Sequence, residues 1–162
     1  MSEHRVGFGY DVHRFAGARV LVLGGVTFSG EPGLEGHSDA DVLAHAVTDA
    51  VLGAAGLGDI GMHFPDDDPR FKGADSIGLL SNARAMAREA GWEVVNVDAT
   101  VVCERPRIQP VAAEMTERLG AALGIDAGRV NVKATTNEGM GFLGRGEGIA
   151  ACAVAFLTRA PE

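Results

Sequence analysis

The chain has 162 residues, of which 46% are hydrophobic and 6% aromatic, and no linker or repeat interrupts it, so we expect one globular domain spanning residues 1–162. Its formal net charge of −8 argues against nucleic acid as a partner, because phosphate backbones are bound by basic surfaces. No apolar run approaches the ~20 residues of a membrane span and the N-terminal residues have no signal-peptide core, so we expect a cytoplasmic protein with no membrane partner.

The first part of the chain predicts two strands and a helix. RVGFGYDVH (5–13) has the composition of a strand, and VLVLGGVTF (20–28) that of a second strand or a bent hairpin arm. GEPGLEG (30–36) indicates a glycine-rich loop. Ser38 is then expected to cap a helix that runs to about Ala54, because serine satisfies free N–H groups at a helix start.

The rest of the chain alternates helices and strands after a long loop. In chain order we predict the loop 56–73, the helix 75–90, the strand 92–103, the helix 110–123, and the strands 129–136 and 149–157. Cys103 and Cys152 lie in apolar segments without a metal or redox spacing, so we expect two buried, unpaired thiols. The order predicts an α+β fold with a mixed β-sheet and helices packed on one face, related to ferredoxin-like sandwiches.

Asp11 and His13 stand two residues apart in the first predicted strand, so their side chains point to the same side. They form either a solvated strand face or part of a metal site. His45 lies outside the apolar stripe of the first predicted helix, on a polar face that it shares with Asp41 and Asp49. One carboxylate and two imidazoles suit Zn²⁺ or a similar divalent ion, with Asp49 orienting the His45 ring; a wet helix surface is the alternative.

Three segments, YDVHRF (10–15), LEGHSDADVLAHAVTDAVLGAAGLGDIGMHFPDDDPRFKGADS (34–76) and VNVKATTNEGMGFLGRGEGIA (130–150), resemble the 2-C-methyl-D-erythritol 2,4-cyclodiphosphate synthase family. The resemblance extends from Arg5 to about Leu157. It implies a phosphorus–oxygen lyase of the non-mevalonate isoprenoid pathway. Its small-molecule substrate is 4-diphosphocytidyl-2-C-methyl-D-erythritol 2-phosphate, and its products are the cyclic diphosphate and CMP. It also implies a homotrimer with active sites at subunit interfaces.

The same resemblance implies two cations and a set of site residues. Asp11, His13 and His45 would hold Zn²⁺ or a similar ion, and Glu138 would hold Mg²⁺ or Mn²⁺ at a second site. His37 and Thr136 would be catalytic. The residues implied at the substrate are Asp11, His13, His37, Ser38, Asp59, Ile60, Gly61, Phe64, Pro65, Asp66, Asp67, Asp68, Cys103, Arg105, Pro106, Arg107, Ile108, Gln109, Ala134, Thr135, Thr136, Asn137, Glu138, Phe142 and Arg145.

Several of these assignments have alternatives. Ser38 is also an ordinary N-cap, and His37 also an exposed loop residue. Asp67 and Asp68 are also solvated acids in a turn, although an EF-hand calcium loop would need a different spacing. The loop CERPRIQ (103–109) departs from the family pattern of small residues followed by lysine, which leaves its side-chain roles open. A zinc-dependent nucleotide-diphosphate phosphohydrolase and a non-catalytic trimer that binds an isoprenoid or a nucleotide are the competing functions.

Overall fold

A computed structural model describes residues 3–159, which form a mixed β-sheet with helices between its strands. The α+β class predicted from the sequence is confirmed. The elements are β1 (Glu3–Leu23), β2 (Val26–Leu34), α1 (Val42–Ala55), α2 (Ile60–His63), α3 (Ser76–Glu89), β3 (Glu93–Val102), α4 (Ala112–Leu123), β4 (Val130–Thr135), α5 (Gly141–Gly144) and β5 (Gly148–Arg159). Short 3₁₀ turns lie at Pro69–Phe71, Gln109–Val111 and Ala127–Arg129.

The sheet has the strand order β2-β1-β5-β3-β4. The β3–β4 pair is parallel, whereas β1 pairs antiparallel with β2 and β5, and β3 pairs antiparallel with β5. The parallel pair is joined by a crossover that contains α4, as parallel strands require. The closing strand therefore lies at the centre of the sheet, between the strand that carries Asp11 and His13 and the strand that ends at Thr135.

Helix α1 packs on one face of β1 at very short range. A Cβ atom at Gly7 would lie 1.9 Å from the carbonyl oxygen of Ala50, and one at Gly9 would lie 1.9 Å from that of Ala46. Only glycine permits this approach of helix and strand backbones. Asp11 and His13 continue the same alternation along β1 and so lie on the helix face of the sheet.

The first two strands form a hairpin whose turn lies inside the segment 20–28, which was predicted as one strand or a bent hairpin arm. The predicted strand 20–28 spans this turn, because β1 runs to Leu23 and β2 begins at Val26. Gly24 and Gly25 have φ of +57° and +76°, the left-handed conformations that a tight hairpin turn favours. The predicted loop 30–36 is mostly strand, because β2 continues to Leu34. Alternating polarity is weak here, so local pattern did not separate strand from turn.

The first helix begins at Val42, and Asp41 rather than Ser38 is its N-cap. The Asp41 carboxylate accepts the N–H of Ala44 at 3.0 Å and the N–H groups of Gly24 and Gly25 at 2.8 and 2.7 Å. Asp41 is completely buried, so it does not share an open polar face with His45. Burial raises the pKa of Asp41 to about 6, although the three N–H donors act in the opposite direction. This residue ties the hairpin turn to the helix that carries His45.

The remaining elements agree with the predicted pattern to within a few residues. Asp75 caps α3 by accepting the N–H of Ile77 at 3.0 Å. Helix α4 begins at Ala112, after a 3₁₀ turn, and ends at Gly124, whose φ is +67°. The predicted loop 56–73 contains α2 and the Pro69–Phe71 turn. None of the helices among residues 3–159 has the length and apolar character needed to cross a membrane.

Candidate active site

Asp11, His13 and His45 converge on one point between β1 and α1. Asp11 Oδ2 lies 2.9 Å from His13 Nε2 and 3.0 Å from His45 Nδ1, and the two ring nitrogens are 3.3 Å apart. Ligand atoms around a tetrahedral Zn²⁺ at about 2.0–2.1 Å would be spaced by about 3.3 Å. The residues present therefore fit a zinc-like cation with one position open to a substrate oxygen. Their predicted convergence is observed, and their role as ligands stays a prediction.

The pKa values of Asp11 and His13 are shifted within the triad. Partial burial by itself raises the pKa of Asp11, but the hydrogen bonds and charges of His13 and His45 outweigh it and hold that pKa well below its ordinary value. Burial lowers the pKa of His13, but the hydrogen bond and the charge of Asp11 outweigh it, and the net shift is upward. A negative Asp11 thus faces two imidazoles, the charge pattern of a cation site.

Hydrogen bonds outside the triad orient both rings. His13 Nδ1 donates to the carbonyl oxygen of Glu35 at 2.5 Å, which leaves Nε2 free to face Asp11. His45 Nε2 lies 2.8 Å from Ser76 Oγ and 3.1 Å from Ser38 Oγ. Sequence reasoning missed Ser76, which follows the helix signal of Asp75 but carries no motif of its own.

The predicted contact of Asp49 with His45 is wrong. The Asp49 carboxylate instead accepts the backbone N–H of Ile60 at 2.7 Å. Burial raises the pKa of Asp49, while the N–H donor of Ile60 opposes the shift. Asp49 lies one helical turn beyond His45, and the loop after α1 folds back onto it. It therefore positions the segment that follows the helix rather than the imidazole.

A cavity of about 370 Å³ opens beside the triad and collects many of the residues implied at the substrate. Those that line it, besides the triad, are His37, Ser38, Ile60, Gly61, Phe64, Pro65 and Asp66. Gly36, Phe71 and Leu79 also line it and were not predicted. Ser38 was expected at the start of α1, but Ser38 and His37 both lie in the loop before that helix. The Ser38 side chain is buried.

Three acids of the long loop lie outside this cavity lining. Asp59 caps α2 by accepting the N–H of Met62 at 3.0 Å. Asp68 pairs with Arg70 at 2.6 Å, and the hydrogen bonds and charge of Arg70 lower the pKa of that carboxyl. Asp67 is exposed. The backbone of Asp68 still reaches the site, because its carbonyl oxygen lies 2.9 Å from His37 Nε2.

A second cavity, of about 360 Å³, joins the loop after β3 to the end of β4. It is lined by Cys103, Glu104, Pro106, Arg107, Ile108, Gln109, Pro110, Ala134, Thr135 and Thr136. Arg105 is exposed and does not line it. Burial, with the negative charges of Glu104 and Glu31, raises the pKa of the Cys103 thiol to about 11, so this thiol is not a nucleophile. Cys103 is buried as expected, whereas Cys152 is half-buried, and both thiols are free.

Glu104 holds the loop that follows β4. Its carboxylate accepts the backbone N–H of Asn137 at 2.9 Å and that of Gly139 at 3.4 Å. Thr136 donates its hydroxyl to the Glu138 carboxylate at 3.4 Å, and Glu138 has a φ of +53°, rare for a non-glycine residue. Sequence reasoning gave Glu104 no role, because its partners lie more than thirty residues further along the chain.

The two cavities are separate within one chain. Strand register places Val12, Ala150, Val102 and Thr135 in one row across four neighbouring strands. Three strand spacings of about 4.8 Å put the two ends of this row about 14 Å apart. Phe142 lines another cavity, of about 300 Å³, together with Val12 and His13. The chain by itself therefore does not bring Thr135, Thr136 and Glu138 beside the triad.

The YgbB family model matches residues 4–158. The chain is 63% identical to the 2-C-methyl-D-erythritol 2,4-cyclodiphosphate synthase of Rubrobacter xylanophilus, over 99% of this chain and 98% of that protein. It is also 63% identical to the bifunctional enzyme IspD/IspF of Anaeromyxobacter dehalogenans, over 95% of this chain but 40% of that longer protein. A Plasmodium falciparum IspF structure, a CDP complex, superposes with a TM-score of 0.85 at 30% identity, over 98% of this chain and 97% of that one. The chain therefore belongs to the YgbB family, in agreement with its resemblance to the cyclodiphosphate synthases.

Proposed function

We propose that the protein converts 4-diphosphocytidyl-2-C-methyl-D-erythritol 2-phosphate to 2-C-methyl-D-erythritol 2,4-cyclodiphosphate and CMP, as a phosphorus–oxygen lyase of the non-mevalonate isoprenoid pathway. The observation that carries the proposal is the Asp11–His13–His45 triad beside a cavity, in a chain 63% identical to a synthase of that name over nearly its full length. On the same grounds we propose that residues 1–162 form a single domain and that the protein acts in the cytoplasm. Nucleic acid and membranes are not proposed as partners.

Two cation sites accompany this proposal. Asp11, His13 and His45 would hold Zn²⁺ or a similar ion, and Glu138 would hold Mg²⁺ or Mn²⁺. Cations so placed would polarise phosphoryl oxygens and offset their negative charge. An acidic chain needs such compensation to hold a substrate with three phosphoryl groups, because its formal net charge is −8.

The chain's own residues position the substrate rather than attack it. A 2-phosphate oxygen of the substrate forms a bond to the β-phosphorus, and the bond from that phosphorus to the bridging oxygen of CMP breaks. No serine or cysteine nucleophile is needed, in agreement with the buried, weakly acidic thiol of Cys103. His37 and Ser38, which line the cavity beside the triad, would hold the 2-phosphate, and Asp66 of the same lining would accept hydrogen bonds from the erythritol hydroxyls. Thr136 would stabilise charge in the transition state.

A homotrimer with active sites at subunit interfaces would join the two separate cavities. The face of the sheet opposite α1 supports self-association, because Val6, Phe8 and Tyr10 of β1 are 67%, 65% and 49% exposed. The loop 103–109 of one subunit would then bind the cytidine of a substrate whose diphosphate lies at the triad of another. The CDP in the P. falciparum structure supports a nucleotide subsite.

A sheet with helices on one face also supports a relationship to ferredoxin-like sandwiches.

The test is to incubate the purified protein with the cytidylyl substrate, Zn²⁺ and Mg²⁺ and to follow the products by ³¹P NMR. We expect equimolar cyclic diphosphate and CMP. Linear phosphate products without the cyclic compound would overturn the proposal in favour of a zinc-dependent phosphohydrolase. Tight binding of the nucleotide without turnover would instead favour a non-catalytic trimer.

A further inference from the structure

The nitrogen of His45 that faces away from Asp11 is enclosed by hydroxyl groups. His45 Nε2 lies 2.8 Å from Ser76 Oγ and 3.1 Å from Ser38 Oγ, and the two hydroxyl oxygens are 3.4 Å apart. Ser76 is completely buried and Ser38 is 7% exposed. Because this side of the ring is closed, a cation can reach only Nδ1.

The Asp39 carboxylate decides the direction of the hydrogen bond between Ser76 and His45. Ser76 donates its hydroxyl proton to Asp39 Oδ1 and its backbone N–H to Asp39 Oδ2, the latter at 3.1 Å. A hydroxyl has a single proton to donate, and an ionised carboxylate is only an acceptor. Ser76 Oγ, the nearer hydroxyl at 2.8 Å, can therefore only accept from His45 Nε2–H, and the lone pair of the ring is left on Nδ1. Ser38 Oγ accepts the N–H of Ala40 and is left to donate its own proton to Ser76 Oγ at 3.4 Å.

Asp11 pulls the ring proton in the opposite direction. Its Oδ2 lies 3.0 Å from His45 Nδ1, so a neutral His45 with its proton on Nδ1 would satisfy Asp11 but could not bind a cation there. The ring thus stands between two carboxylates, Asp11 directly and Asp39 through Ser76. His13 has no such competition on its outer nitrogen, because the Glu35 carbonyl can only accept.

The segment that carries Asp39 is held in an unusual backbone conformation. Ala40 has a φ of +59° and is completely buried, although it has a side chain. Its N–H donates to Ser38 Oγ at 3.1 Å, and the N–H of Asp41 donates to Asp39 Oδ1 at 3.2 Å. This tight turn directs the Ser38 hydroxyl and the Asp39 carboxylate toward α3 and the ring.

We infer that Asp39 and Ser76 form a dyad that keeps the proton of His45 on Nε2 and so presents Nδ1 as a cation ligand. Both act as positioning residues, and the inference rests on the proposed metal site. The loop before α1 supplies Asp39, and the start of α3 supplies Ser76, 37 residues later. The dyad holds His45 Nε2 and leaves Nδ1 as the ligand atom, whereas the Glu35 carbonyl holds His13 Nδ1 and leaves Nε2. These two ligand nitrogens point to the same place.

The first experiment compares Ser76→Ala with the wild-type protein, with Ser81→Ala as the control. Ser81 is on the same helix, and its hydroxyl donates to the Ile77 carbonyl at 3.2 Å. Zn²⁺ affinity is measured by competition with a chromophoric chelator, and the His45 tautomer of the metal-free protein by long-range ¹H–¹⁵N NMR. In Ser76→Ala we expect Zn²⁺ to bind about 10- to 100-fold more weakly, as for other outer hydrogen-bond partners of a ligand. The ring proton should move to Nδ1, and Ser81→Ala should match the wild type in both measurements.

Asp39→Asn tests the dyad without altering the serine. A single amide oxygen cannot accept all the hydrogen bonds that Asp39 receives from Ser76 and Asp41, so the Ser76 hydroxyl proton is released toward His45. We expect the same tautomer change and weaker Zn²⁺ binding. Unchanged tautomer and affinity in both variants would overturn the inference. A wild-type protein that binds Zn²⁺ no better than His45→Ala would overturn the proposed metal site instead, while the tautomer of the metal-free protein would still decide the role of the dyad.

Discussion

The two halves of the proposed active site are built in different ways. On the metal side, His45 is 9% exposed, Ser76 is completely buried, and each ring is held on its outer nitrogen. On the nucleotide side, Thr136 and Glu138 are exposed, and Glu104 holds their loop by two hydrogen bonds. The metal side is thus preorganised by the packing of one chain. The nucleotide side has its groups on a surface that a substrate or a second subunit must complete.

The strongest test of this contrast removes a predicted metal ligand. His45→Ala should abolish both Zn²⁺ binding at the triad and cyclodiphosphate formation, because the remaining Asp11 and His13 cannot complete the ligand set. The loss should exceed the about 10- to 100-fold typical of an outer hydrogen-bond partner. Binding is measured by chelator competition and activity by ³¹P NMR. His4→Ala, a histidine stacked on Phe156 away from the site, serves as control. Retention of activity by His45→Ala would show that the ligand assignment is wrong.

Glu138→Gln separates the two halves. We expect cyclodiphosphate formation to fall by about 100-fold, the loss typical of one group that stabilises transition-state charge. Zn²⁺ affinity at the triad should be unchanged, because Glu138 lies in the other half. Steady-state rates over a range of Mg²⁺ concentrations, with Zn²⁺ titrations alongside, measure both. Glu114→Gln, which alters an exposed ion pair with Arg118, is the matched control. Equal loss of Zn²⁺ and of activity would mean that the halves are not independent.

The pH dependence of Zn²⁺ binding tests the electrostatic contact between His13 and Asp11 on the metal side. Burial lowers the pKa of His13, but its contact with Asp11 outweighs this and raises the pKa above the ordinary value of about 6.5. A proton on Nε2 competes with the cation, so affinity should fall about tenfold per pH unit below that raised pKa. The decline should therefore begin at a higher pH than for an ordinary histidine. Zn²⁺ titrations between about pH 5 and 8 measure it, and a midpoint below the ordinary histidine value would contradict the shift.

The smallest effect is expected where hydrogen bonds are exposed. Glu104→Ala removes the acceptor for the N–H groups of Asn137 and Gly139, so the loop with Thr136 and Glu138 should become less ordered. We expect kcat/KM to fall about 2- to 10-fold, the factor that corresponds to one or two such hydrogen bonds. Glu117→Ala, an exposed acid on α4, should have no effect on kcat/KM. A loss of Zn²⁺ affinity in Glu104→Ala would show that the metal side is not organised independently of the nucleotide side.

Much of the fold and the core of the metal site could be predicted from local pattern. The alternation of β1 places Asp11 and His13 on one face, and the predicted convergence with His45 is observed. Helix α4 ends at Leu123, as predicted. The position of the hairpin turn was harder to predict, because the segment around Gly24 and Gly25 is apolar on both sides of the turn.

Other features depended on residues distant in sequence. Asp41 resembles a polar helix-face residue, yet the hairpin turn covers it and makes it a buried cap. Asp49 was expected beside His45, but the chain after α1 brings the N–H of Ile60 to it instead. Ser76 shows no motif, and only the packing of α3 against α1 brings it to the ring.

The sequence by itself determined the strand and helix periods, the α+β class, the family and the three side chains of the triad. These follow from backbone geometry and from short or contiguous patterns, which act over a few residues. The tertiary structure alone decided which nitrogen of each imidazole is free, which acid caps α1, and that the two cavities are apart. Those features depend on contacts between segments tens of residues apart, and such contacts exist only once the helices have packed on the sheet.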